Sequence, residues 1–272
     1  MPLLLGLLMQ DGWTQLPEGR LALPSFTSAP YPHASREQGY KNYPRDPHYT
    51  DSTVGVFVPS GFKPGKTVDF VVHFHGHNNH VSQVFTQFGL ARQMQLSGLN
   101  AVLLVPQGPR DAADSGCGKL ELSPTGLSDL LQEALKFLSL PGKVGRVILT
   151  AHSGGYKVTS AILARHEKVN VTDVLLFDAT YGGLPAFADW AAGSGSRRLV
   201  SICTDHLGHE NAQLVALLQK KGQQPRVMLE EDVQPSDLRR RGSLFVLTTT
   251  LEHNEVVSKR DYFGRWLATS NP

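Results

Sequence analysis

Cysteine is nearly absent from this 272-residue chain, which has only Cys117 and Cys203. Two are too few for a disulfide scaffold, and their separation fits no zinc-ligand pattern, which leaves either one bridge or two buried thiols. An excess of one charge is also missing. Lys plus Arg number 26 against 24 Asp plus Glu, a formal net charge of +2, so nothing marks a polyanion-binding surface and nucleic acid is not an expected partner. No apolar run approaches the roughly 20 residues that a membrane helix needs. Repeats, low-complexity tracts and long like-charge blocks are lacking, which argues against solenoids and disorder. A phosphate-cradling Gly-x-x-x-x-Gly-Lys loop does not occur. The opening Met1-Pro2-Leu3-Leu4-Leu5-Gly6-Leu7-Leu8-Met9 is apolar like a signal h-region, but it has neither a basic start nor a clear small-residue cleavage site. Cytoplasmic and secreted locations both stay open.

What is present suits one large globular core, since 40% of the residues are hydrophobic and a chain of this size buries roughly three-quarters of its unfolded surface. Residues 1–49 are rich in Pro, Gly and polar side chains and are expected to form an N-terminal arm, with one short strand near Leu21 to Leu23. From residue 50 to 272 the pattern becomes regular. Val54 to Val58 and Thr67 to Phe74 read as a strand pair. A helix with Val84, Phe85, Phe88, Leu90, Ala91 and Met94 follows, then the strand Ala101 to Val105. Ser128 to Leu138 has a helical apolar face and leads into the strand Arg146 to Thr150. Further alternation is expected: helix Tyr156 to about His166, strand Val174 to Phe177, helix Pro185 to Ala191, strand Leu199 to Cys203, helix Asn211 to Lys220, strand Ser243 to Thr248, and a closing helix carrying Val256 to Leu267. Strands apolar on both faces, alternating with helices, predict an α/β fold with a mostly parallel sheet of about eight strands covered on both sides. In such sheets the reactive groups gather at the carboxyl ends of the strands.

The strand Val147-Ile148-Leu149-Thr150 delivers Ala151-His152-Ser153-Gly154-Gly155 and then a helix. A nucleophile on a sharp strand-to-helix turn needs tiny neighbours, because its backbone is strained and larger side chains would clash. Ala151, Gly154 and Gly155 meet that demand. A bland alternative makes Ser153 a helix cap.

With these residues the chain resembles the α/β-hydrolase superfamily, from about Val54 to the C-terminus. The Ala-x-Ser-x-Gly form resembles that of small lidless lipases. The stretch from Pro59 to His77, where Pro-Ser-Gly precedes a strand ending in His-Gly, is similar to the esterase and polyester-depolymerase branch. The resemblance implies the chain order nucleophile, acid, histidine.

His253 follows the last strand and precedes the final helix, alone among the 11 histidines, and a neutral imidazole there can take the proton of Ser153. Two acids compete. The usual topology of the family selects Asp205, after Cys203-Thr204, whereas a lipase minority places the acid one strand earlier, at Asp178. The apolar run before Asp178 and the small residues after it suggest the burial that an orienting acid requires, while Asp205 neighbours His206, His209 and Glu210. Asp178 is preferred and Asp205 is kept. In the hydrolase reading Gly76 lets the backbone turn so that the N–H of His77, or alternatively of Asn78, joins the N–H of Gly154 in an oxyanion hole.

A rival uses the same segment. His73-x-His75-x-His77-x-x-His80 resembles the His-x-His-x-Asp-His motif of metallo-β-lactamase-type hydrolases, with His77 where Asp is expected. A third possibility is a non-catalytic binding module on the same fold. Trp13, Tyr156 and Tyr181 are candidate pocket aromatics, and Arg239-Arg240-Arg241 reads as a solvated helix end. The short stretch between Phe177 and the next strand leaves no room for a cap domain. The expectation is a serine carboxylesterase, first for short-chain esters and then for polyester or carbohydrate esters, acting on a small or polymeric substrate with no metal or organic cofactor.

Overall fold

A computed structural model describes residues 9–10, 12–165, 168–239 and 241–271. The apolar stretch Met1–Leu8, His166 and Arg240 lie outside the described residues. Among the described residues, eleven strands form one sheet in the order β1-β2-β3-β4-β6-β5-β7-β8-β9-β11-β10. They are β1 (Met9–Gln10), β2 (Trp13–Leu16), β3 (Gly19–Ala22), β4 (Val54–Pro59), β5 (Thr67–Phe74), β6 (Ala101–Pro106), β7 (Lys143–His152), β8 (Val171–Phe177), β9 (Arg198–Cys203), β10 (Arg226–Leu229) and β11 (Leu244–Thr248). β1 to β4 run antiparallel and β4 joins β6 antiparallel, whereas every pair from β6 to β10 is parallel.

The sheet is wider than the eight strands expected. The N-terminal segment supplies β1, a two-residue stub, with β2 and β3 at one edge, and the short β10 closes the other edge. Those strands are brief, and β10 exposes Arg226, Val227 and Leu229, so periodicity gives them little signal. The expected pairing of β4 with β5 is also corrected. β4 lies between β3 and β6, and β5 between β6 and β7. Proximity in sequence suggested a hairpin, but two consecutive apolar strands each find a buried slot with other partners.

Side-chain alternation divides the core. Val54, Val56, Val68, Phe70, Val72, Val102 and Leu104 face one layer, with helices Gly126–Phe137, Tyr156–Arg165 and Leu184–Ala192. Phe57, Val71, Leu103 and Val105 face the other, with the helices around Val84, Met94 and Phe263. Both faces of the central strands are therefore dry, which is why those strands read as unbroken apolar runs. Two expected helices are each divided. The first breaks at Gly89, with φ 58°, into Val81–Gln87 and Leu90–Leu96. The last becomes Glu255–Ser258 and Tyr262–Ala268, with Arg260 and Asp261 in left-handed backbone between them. No helix among the described residues is long and apolar enough to cross a membrane. Cys117 and Cys203 are two separate buried thiols; burial pushes the Cys203 thiol up to about 11.

The chain leaves β5 for β6 on one side and returns to form β7 on the other. This reversal opens a crevice at the carboxyl ends of β5 and β7.

Candidate active site

Ser153 stands immediately beyond β7, with φ at 52°. A left-handed conformation is strained for a residue with a Cβ, and close packing holds it. A Cβ on Gly155 would come 2.4 Å from the carbonyl oxygen of Phe74, and one on Gly76 would come 2.7 Å from Cβ of Ser153. Gly76 does not have positive φ. Its lack of a side chain serves the approach of the β5 loop to Ser153 rather than the turn expected from sequence.

Asp178, directly after β8, also has positive φ, 49°, and no accessible surface. Its Oδ2 accepts from His253 Nδ1 at 2.5 Å. Its Oδ1 accepts from the Thr204 N–H at 2.9 Å, and the Thr204 hydroxyl lies 3.1 Å from both oxygens. Burial alone would raise this carboxyl, but the hydrogen bonds from His253 and Thr204 outweigh it and hold the pKa below the ordinary aspartate value. Asp205 opens a short 3-10 turn after Thr204, is exposed, and makes no side-chain hydrogen bond or ion pair among the described residues. The structure brings Asp178 to His253 and leaves Asp205 apart.

With its Nδ1–H given to Asp178, His253 keeps a free lone pair at Nε2. It shares with Ser153 a cleft of about 370 Å³ that is also lined by His77, Gln83, Gln87 and Asn254. No hydrogen bond joins Ser153 to His253 among the described residues; the Ser153 hydroxyl interacts instead with that of Tyr181. Such contacts are commonly long in unliganded sites.

His152 was not singled out from the sequence. It is buried, donates from Nε2 to the carbonyl oxygen of His253 at 3.0 Å, and stacks on that ring at 4.8 Å. Burial, with the neighbouring His253 ring, pushes its pKa down to about 4, so it is a neutral donor. Its position beside the nucleophile candidate was the only signal in the sequence.

The β5 loop is fixed by side chains. His75 donates from Nδ1 to the carbonyl of Gly76 at 2.8 Å and accepts from the Gly108 N–H at Nε2, 3.1 Å away. The carbonyl of the Gly76–His77 peptide is thereby held on one side, and the His77 N–H, on the other side of the same peptide, has no acceptor among the described residues. The Asn78 N–H is already committed to the Ala112 carbonyl at 3.0 Å. The Gly154 N–H lies in the first turn of a helix, where no intrahelical acceptor exists.

The four histidines of the metal alternative diverge. His73 contacts Thr150, His75 Gly76 and Gly108, His77 Ser115, and His80 Asp111. They form no common ligand group among the described residues. Alternation and the loop after Phe74 send the rings in different directions. Trp13, in β2, is likewise remote, packed on Phe137 beneath Arg20 of β3. Tyr181 reaches the site, with its ring 6.2 Å from that of His253 and 6.0 Å from that of Tyr156.

No protein-family model matches the chain, and no curated protein matches it in sequence. Solved structures do resemble it. A feruloyl esterase module from Clostridium thermocellum superposes with a TM-score of 0.57 at 13% identity, covering 93% of this chain and 89% of that one. An S-formylglutathione hydrolase from Staphylococcus aureus gives 0.52 at 10% identity, covering 93% and 98%. A fluorophosphonate-binding serine hydrolase from the same organism gives 0.52 at 9% identity, covering 92% and 99%. The chain has the α/β-hydrolase fold.

Proposed function

We propose that the protein is a serine hydrolase that cleaves carboxylic esters through an acyl-enzyme, with Ser153 as nucleophile, His253 as general base and Asp178 as orienting acid. The observation that carries this reading is the 2.5 Å contact between His253 Nδ1 and buried Asp178, in the same cleft as a serine on a left-handed turn. Asp178 fixes the tautomer in which Nε2 is basic. In the proposed reaction Nε2 takes the Ser153 proton as Oγ attacks the ester carbonyl, and the N–H groups of His77 and Gly154 stabilise the oxyanion. His253 then protonates the departing alcohol, and a water activated by the same Nε2 releases the acid. The esterases among the structural neighbours support an ester over an amide.

Side-chain amides of Gln83, Gln87 and Asn254 line the cleft, which favours short or polar esters over long aliphatic acyl chains. No metal is needed in this route. A fluorophosphonate probe is expected to label Ser153, and Ser153→Ala and His253→Ala are expected to abolish turnover of a chromogenic short-chain ester with the fold intact. Absence of labelling in active protein, or activity that a chelator removes, would defeat the proposal; a non-catalytic binding module would show neither labelling nor turnover.

A further inference from the structure

Asp178 meets a second imidazole that the proposed reaction does not use. His206 Nε2 lies 3.6 Å from the same Oδ2 that contacts His253 Nδ1 at 2.5 Å. The two rings are 5.5 Å apart at 68°, and ligand atoms from Asp178, His206 and His253 all fall within 4.8 Å of one another. We propose that these three side chains bind Zn²⁺ or a similar divalent transition metal, and that occupancy turns the hydrolase off. Two imidazoles and one carboxylate suit zinc, with water as a fourth ligand, and are a poor set for the oxygen-preferring Mg²⁺ and Ca²⁺.

The geometry requires modest movement. Ligand bonds of about 2.0–2.2 Å imply ligand-to-ligand edges of about 3.3 Å in a tetrahedral site. The His253–Asp178 edge must open and the His206–Asp178 edge close slightly, while a swing of the His206 ring shortens the third. That ring has the freedom, since its side chain is 48% exposed against 33% for His253 and 0% for Asp178, so the ion enters from solvent between the two rings.

The existing hydrogen bonds assign each proton. The Thr204 hydroxyl donates to Asp178, His206 Nδ1–H donates to Thr204 at 2.6 Å, and His206 Nε2 accepts from the Tyr181 hydroxyl at 2.7 Å. Metal binding replaces the Tyr181 contact at His206 Nε2 and moves the single ring proton of His253 from Nδ1 to Nε2, since the ligating ring is neutral imidazole. Thr204 stays on Asp178 and steadies the carboxylate. A His253 ring that ligates through Nδ1 carries its proton on Nε2, so it has no lone pair there to take the Ser153 proton, and it loses its alignment by Asp178. The inhibitory half rests on the ester-hydrolase reading; the binding half does not.

The test uses tag-free Ser153→Ala protein, titrated with Zn²⁺ by calorimetry and with Co²⁺ by visible absorption. One ion per chain is expected, with affinity at least about tenfold weaker in His206→Asn and restored in His206→Cys, which replaces the lost ligand. Zn²⁺ is expected to inhibit ester turnover of the parent, and the ratio of rates with and without Zn²⁺ should return towards one in His206→Asn, whatever its basal rate. No binding, or equal affinity in His206→Asn, would overturn the site. Saturating Zn²⁺ without loss of turnover would overturn the inhibition alone. Intact binding in a protein inactive on every ester would uphold the site and remove the hydrolase reading.

Discussion

Asp178 and Asp205 show how much one residue's surroundings decide. Both follow parallel strands, but Asp178 has no exposed surface and accepts from His253 and Thr204, while Asp205 faces solvent. Asp178→Asn is expected to lower kcat on the order of 10⁴-fold, because an amide can no longer hold the tautomer that leaves Nε2 free; Asp205→Asn should stay near the parental rate. The same pair of ester assays would reverse the assignment if the two losses were exchanged. Gly76 invites a sharper test. Since an added Cβ would stand 2.7 Å from that of Ser153, Gly76→Ala should displace the nucleophile and cut turnover more than it lowers the melting temperature. Apolar runs ending in aspartate made burial of Asp178 readable from sequence, but the partnership of His152 with the His253 carbonyl was not readable, because the two are brought together only by the fold.

Between residue and whole chain, the elements that matter most are loops pinned by side chains from distant segments. Arg36 grips Asp114 through two hydrogen bonds, at 2.7 and 3.0 Å, and Asp114 also accepts from the Gly116 N–H at 2.8 Å. Ser115, between them, contacts the His77 ring at 2.8 Å. Breaking a largely buried pair leaves a carboxylate without its partner, so Arg36→Met should cost about 3 kcal/mol in urea unfolding. It should also lower ester turnover by loosening the loop beneath His77; an unchanged midpoint would contradict this account. Composition before residue 50 predicts an arm with one short strand. Its hydrogen-bonded strands and its hold on the site loop are not legible there, because short, half-exposed strands and long-range ion pairs leave no periodic pattern.

At the scale of the molecule, three buried histidines make stability depend on pH. Burial lowers the pKa of His73, His75 and His152, the last from 6.5 to about 4. The unfolded chain therefore binds protons that the folded chain refuses as pH falls through 6.5. Their contribution is fully present above pH 6.5 and is lost as pH falls below it; for His152 the loss runs towards pH 4 and amounts to about 3 kcal/mol. Asp178, with its depressed pKa, adds a loss in the same direction at lower pH. Melting temperatures are expected to fall as pH is lowered from 7 to 4, and less steeply in His152→Gln. Equal slopes in the two proteins would show that His152 is not a source of the dependence.

The sequence by itself determined the alternation of buried strands and helices, because period-two and period-3.6 burial are local properties written in consecutive residues. It also determined that Ser153 stands on a strand-to-helix turn among residues too small to obstruct it. Only the tertiary structure decided the order of the strands, the separation of His73, His75, His77 and His80, the commitment of the Asn78 amide, and the meeting of Asp178 with both His253 and His206. Each of those depends on where distant segments end in space, and that is set by packing of the whole sheet between its two helical layers.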